Sequence, residues 1–107
     1  MYEFLEKDKV DNLIDFEILF NKQKIGVLEI AEQPQFVFIR QIHVDEEFQR
    51  LGHATKIIYQ LLEQYKLPLR YCVSTHSNSA IIFWRKFNEK YQKEVKHIKG
   101  DLYELTN

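Results

Sequence analysis

The sequence predicts an α/β (α+β) domain whose mixed sheet is built in the order β-β-β-α-β-α-β-β. Three observations predict it. Strand-like apolar runs precede the first helical repeat, a helix-periodic segment then lies between two strand-like runs, and a turn flanked by apolar residues closes the chain.

Ile14 to Phe20 carries apolar residues at strand density, Asn21-Lys22-Gln23-Lys24 offers a polar turn, and Ile25 to Ile30 resumes the pattern, which together read as a β-hairpin. A second turn around Gln33-Pro34-Gln35 leads into Phe36 to Val44, a long β-branched and aromatic run expected to be a central strand. After the polar loop from Asp45 to Arg50, the residues Leu51, Ala54, Ile57, Ile58, Leu61, Leu62 and Tyr65 recur at three-and-four spacing along one helix face, and this helix stops before Pro68. Leu69 to Ser74 is again strand-like, so the helix makes a parallel crossover. Ser77 and Asn78 are good N-caps for a second helix with Ala80, Ile81, Phe83, Trp84 and Phe87 on one side. Val95 to Ile98, the turn Lys99-Gly100-Asp101 and Leu102 to Leu105 close the fold as a hairpin.

A chain of 107 residues with 45% hydrophobic and 14% aromatic content closes one core, and a single domain over 1–107 is expected. With 3 Gly, 2 Pro and no biased tract, nothing divides the chain. A net charge of -1 gives no general pull toward nucleic acid or anionic lipid. No apolar run is long enough for a bilayer, and Met1-Tyr2-Glu3-Phe4 lacks the basic start and apolar stretch of a secretory signal. The lone Cys72 calls for no oxidising compartment, and the expectation is a cytoplasmic protein with no metal.

Between the long strand and the first helix stands Gln49-Arg50-Leu51-Gly52-His53-Ala54. The first N–H groups of a helix have no internal partner and the helix dipole favours an anion there, while Gly52 and Ala54 keep bulky side chains away from such a ligand. After the next strand comes a second cluster, Asn78, Ala80, Phe83, Trp84 and Lys86. The first segment resembles the pyrophosphate loop of the GNAT superfamily of acyl-CoA-dependent N-acyltransferases, and the second resembles that family's other coenzyme-binding helix. The resemblance spans residues 14–105 and is most specific between Ile42 and Lys86. It implies the GNAT fold and acetyl transfer from acetyl-CoA to a primary amine, on a small molecule or a peptide. The alternative it leaves open is a GNAT-fold module that binds acetyl-CoA or a protein without catalysis. Family members carry a strand and two helices ahead of the hairpin; with about a dozen residues there, this sequence is expected to lack them, leaving the acceptor groove open or completed by a second subunit in a homodimer.

Carried onto this chain, the family pattern implies that the backbone of Ile42 faces the acyl carbonyl and that Val44 pairs with the pantetheine arm. The amides of Leu51, Gly52, His53, Ala54 and Thr55 would hold the pyrophosphate, flanked by Gln49 and Arg50, and Asn78 would reach the pantetheine. The family's Asn commonly stands three residues before the Ala, which is Ser77 here. Trp84 occupies the position of the family's Tyr, and an indole is not a proton donor of that kind; its other reading is a core aromatic.

His43 is a candidate base beside the acyl site, although strand alternation turns it away from the face of Ile42 and Val44 unless a bulge intervenes; otherwise it is an ordinary strand residue. His76, at the end of the next strand, has the same two readings. Arg40 either selects an acidic acceptor or is a solvated charge, and Cys72 reads as a small buried hydrophobe. Of Lys86, Lys90, Lys93, Lys96 and Lys99, a solvated helix face explains most, and the motif match adds weight only to Lys86 as a partner for the 3′-phosphate.

Overall fold

The structure, a computed structural model, describes residues 1–73 and 77–106. Within them the chain forms β1 (Tyr2–Val10), β2 (Leu13–Phe20), β3 (Gln23–Glu32), β4 (Val37–Val44), a 3₁₀ turn (Glu46–Phe48), α1 (His53–Tyr65), β5 (Leu69–Cys72), α2 (Asn78–Lys90), β6 (Val95–Lys99) and β7 (Leu102–Leu105). The strands lie in the order β1-β2-β3-β4-β5-β7-β6, antiparallel except where β4 meets β5. The expected mixed sheet and crossover are therefore present. Ser74 and His76, placed by the sequence at the end of β5, lie outside the described residues.

The expectation that the N-terminal strand is missing is overturned. Tyr2–Val10 is a strand, and it turns directly into β2 through Asp11 and Asn12, so only the two helices of the family pattern are absent from that connection. Its sequence disguises it: Tyr2 and Phe4 face the core, but Leu5 to Val10 is exposed and rich in charge. A bulge between Glu6 and Asp8 further breaks the alternation that marks a strand. The strand is fastened by an amide-like pairing with α1, in which Tyr2 N–H donates to Gln60 Oε1 at 2.9 Å and Gln60 Nε2 donates to Tyr2 O at 2.6 Å.

The β2–β3 hairpin closes on the two residues Asn21 and Lys22, both left-handed at φ 52° and 66°, which matches the twist of the flanking strands. Both described helices pack on one face of the sheet. Ile57, Ile58, Leu61 and Leu62 of α1 are buried against Ile18, Leu28, Ile30 and Val37, and Tyr65 donates to Glu32 at 2.7 Å from the same side. Trp84 and Phe87 of α2 cover Tyr71, and Tyr59 joins the helices by ring contacts with Phe87 and Tyr91. Burying each aliphatic side chain in this layer contributes about 1.5–3 kcal/mol.

If the Gln60 amide fastens β1, Gln60→Ala should lower unfolding stability by about 1–3 kcal/mol for two lost hydrogen bonds. Hydrogen exchange should then accelerate at residues 2–5 and stay unchanged in β3; unchanged exchange throughout would contradict the assignment.

Candidate functional site

β4 and β5 pair only at Val37–Leu69 and Phe38–Arg70. Immediately afterwards β4 carries one extra residue, Arg40, since Ile30 pairs with Ile39 and Glu29 with Gln41. The bulge bends β4 and the two strands diverge. Into the opening faces a cavity of about 240 Å³ lined by Ile39 to His43, Cys72, Ser77, Ala80 and Trp84. It shares Ile42, His43, Ser77, Ala80 and Trp84 with a groove of about 590 Å³ that runs past Phe48 and Gln49 to the start of α1.

The main chain along this route is rich in donors. Asp45 N–H bonds to Ile25 O at 2.7 Å on the β3 side. By the alternation of an extended strand, Ile42 and Val44 then direct their N–H groups toward the gap, where among the described residues no strand pairs with them. Val44 O faces the same way and accepts from Gln49 Nε2 at 2.8 Å. Gln49 is therefore a tie between the strand end and the loop rather than a side chain free to flank an anion. β3 approaches closely here, because a Cβ on Gly26 would lie 2.1 Å from His43 O.

At the far end, Arg50 adopts φ 65° and Gly52, the N-cap of α1, adopts φ 81°. Nothing lies within 4 Å of where a Gly52 side chain would begin, so backbone conformation demands glycine while open space lies above it. The cap has no side-chain acceptor and the first turn has no acidic residue. The first helical bond is Lys56 N–H to Gly52 O at 3.3 Å, which leaves the His53, Ala54 and Thr55 amides ahead of the helix ladder. An uncapped helix start without carboxylates suits an anion.

The groove brings together Ile42, His43, Val44, Gln49, Arg50, Gly52, His53, Ala54, Thr55, Trp84 and Lys86. Two expected members stand apart. Leu51 is 62% exposed and does not line the groove. Asn78 is the first residue of α2, exposed and outside the lining, because Ser77 is the N-cap, its Oγ accepting from Ala80 N–H at 3.4 Å, and Ser77 itself lines both cavities. One residue of register separates the two. Lys90, Lys93, Lys96 and Lys99 do not line the groove either.

His53 contributes through its main chain: its ring is turned aside, Nδ1 lying 2.7 Å from the Tyr2 hydroxyl and the imidazole packed edge-on to Tyr2 and Phe20. Trp84 is 3% exposed and stacked on Tyr71 with centroids 3.9 Å apart, which makes it a core aromatic that also walls the cavity. Tyr71 beneath it donates to Asn88 Oδ1, and burial pushes its phenol well up.

The bulge at Arg40 precedes Ile42, so it leaves the following alternation intact. Ile42 opposes Leu28 and Val44 opposes Gly26 on the helix side; His43 opposes Val27 on the other face, with Nε2 3.9 Å from Asp45 Oδ1. It nevertheless stands at the rim of the gap. Sequence reading gave the lining role to Asn78 although the family register falls on Ser77, and it missed Arg40 as the bulge; an inserted strand residue leaves no signature in residue type. Among the described residues no His, Cys, Asp and Glu group is arranged for a metal, and no helix is long and apolar enough to cross a membrane.

The Acetyltransferase (GNAT) family model matches residues 1–88. A comparison with functionally curated proteins finds none that matches. Among solved structures, the chain is similar to a GNAT-family protein of Bacteroides thetaiotaomicron (TM-score 0.69, 16% identity), covering 94% of this chain but 65% of that one. It is similar to a GNAT family acetyltransferase of Elizabethkingia anophelis with acetyl-CoA bound (TM-score 0.61, 14% identity, 90% and 77% covered). It is also similar to a Bacillus subtilis acetyltransferase in complex with CoA (TM-score 0.64, 14% identity), where 99% of this chain covers 97% of that one. At these identities the likeness is one of fold.

Burial and the nearby Asp101 carboxylate push the Cys72 thiol up, which lowers its thiolate fraction. Iodoacetamide at pH 8 should alkylate Cys72 several-fold more slowly than it alkylates glutathione, followed by mass spectrometry; an equal or faster rate would revive it as a reactive group.

Proposed function

The chain belongs to the GNAT family of acetyltransferases, and from that premise we propose that it transfers an acetyl group from acetyl-CoA to a primary amine by direct attack in a ternary complex. The observation that carries this reading is the continuity of the β4–β5 gap with an uncapped helix start.

In this reading the pyrophosphate rests on the amides of Gly52, His53, Ala54 and Thr55, with Arg50 and Lys86 as cationic neighbours. The pantetheine arm runs along β4 and meets Val44 N–H. The thioester carbonyl accepts from Ile42 N–H, and the acetyl group occupies the cavity between Ile39, Cys72 and Trp84. The amine nitrogen attacks the carbonyl carbon, a C–N bond forms, and the tetrahedral oxyanion stays on Ile42 N–H. Such a donor is worth about 10²–10³ in rate. Collapse breaks the C–S bond and releases the thiolate. No phenol stands where an acid would be needed, since Trp84 fills that place, and an alkyl thiol with a pKa of about 8.5 leaves adequately as the anion and takes its proton from water. The nitrogen's proton passes to solvent or to His43 at the rim.

A second reading, coenzyme binding without turnover, is favoured specifically by the burial of Trp84 at the position of the family's Tyr. Calorimetry with acetyl-CoA should give a micromolar Kd, about -8 kcal/mol. Gly52→Glu, which places bulk and negative charge over the helix start, should abolish that binding while circular dichroism remains native. Retained affinity in a folded variant would sink the loop assignment. Release of free thiol when primary amines are added decides between the readings: steady release supports transfer, and binding with no release supports the second.

A further inference from the structure

With both described helices on one side of the sheet, the opposite face of β1–β4 is left without a covering element. Leu5, Val10 and Leu13 stand on it at 46%, 58% and 37% exposure. Their register places them there: Leu5 opposes Glu17 and Val10 opposes Leu13, whereas Tyr2, Phe16, Ile18 and Phe20 point to the helices.

Across this face runs a row of carboxylates in direct cross-strand register. Asp8 opposes Asp15, Asp15 opposes Glu29, and Glu29 opposes Gln41, the residue that follows the bulge at the gap. Like charges directly opposite in a sheet repel. Among the described residues none of these three acids has an ion pair within 4.0 Å. Of the basic residues around the row, Lys7 and Lys24 approach Glu17 on the same face at 4.0 and 3.9 Å, and Arg70 bonds Glu104 at 2.8 Å.

We infer that this face docks a basic, amphipathic segment of a partner protein, its cations along the Asp8–Asp15–Glu29 row and its apolar side chains on Leu5, Val10 and Leu13. Charge selects this occupant. A second copy packed face to face about a two-fold axis would bring carboxylates against carboxylates, and nucleic acid or an anionic membrane carries the same sign as the row. Because the row ends beside the gap, a lysine of the docked segment is delivered to His43 and Ile42. That last step rests on the acetyl-transfer reading above, whereas the docking does not.

The test uses the full chain and a fluorescein-labelled peptide of alternating Lys and Leu, read by anisotropy without coenzyme. Expected are binding that weakens with salt, loss of at least 10-fold in affinity for Asp15→Asn/Glu29→Gln, weaker binding of a Lys/Ser peptide, and none of a Glu/Leu peptide. The double variant should keep its acetyl-CoA affinity and gain in Tm, because repulsion is relieved. Equal affinity of wild type and double variant, no binding by wild type, or a lowered Tm would overturn the docking. With acetyl-CoA added, mass spectrometry reads peptide lysine acetylation separately: docking without acetylation leaves the surface standing and removes its coupling to transfer.

Discussion

A strand inside a sheet has hydrogen-bonding groups along both edges, and among the described residues β4 beyond Phe38 pairs along only one. That constraint organises the molecule. An unpaired edge in the middle of a sheet is costly unless something fills it, because main-chain N–H and C=O groups are left without partners. The bulge at Arg40 initiates the divergence, and the position of β7 on the outer side of β5 leaves the inner edge of β5 facing the opening. The result is a slot whose wall carries donors at Ile42 and Val44 and whose end meets the amides of His53, Ala54 and Thr55.

The rest of the fold holds this slot open. The layer of Ile57, Ile58, Leu61 and Leu62 fixes α1 against β2, β3 and β4, so the helix start cannot slide toward β5 and close the route. The Tyr71–Trp84 stack fixes α2 over β5 and makes the opposite wall rigid. Gln49 ties the loop back to Val44, which aligns the two donor sets with each other. Close-packed protein interiors transmit position, and preorganised donors are what a reaction that develops an oxyanion requires.

Much of this was legible from residue pattern because it rests on periodicity. The α1 stripe, the β2–β3 hairpin, the crossover and the Gly52 loop all follow from spacings that local physics enforces. What escaped was set by tertiary contacts. Val10 and Leu5 look like solvated chain because half of β1 is bare, and it is the ladder with β2, with the Gln60–Tyr2 tie at its start, that makes it a strand. Ser77 and Asn78 are both competent caps, so their order at the slot was decided by where the helix axis begins. The orientation of His43 followed from simple alternation because the bulge fell one step too early to change it.

The central claim is that main-chain donors at the gap and at the helix start receive the coenzyme together. Amide-resolved NMR during titration with free coenzyme A tests it most directly. The account predicts that the N–H signals of Ile42, Val44, His53, Ala54 and Thr55 shift along one binding isotherm while those of β6 and β7 stay in place. Shifts confined to β6 and β7, or a response at the helix start with none at Ile42 and Val44, would contradict it.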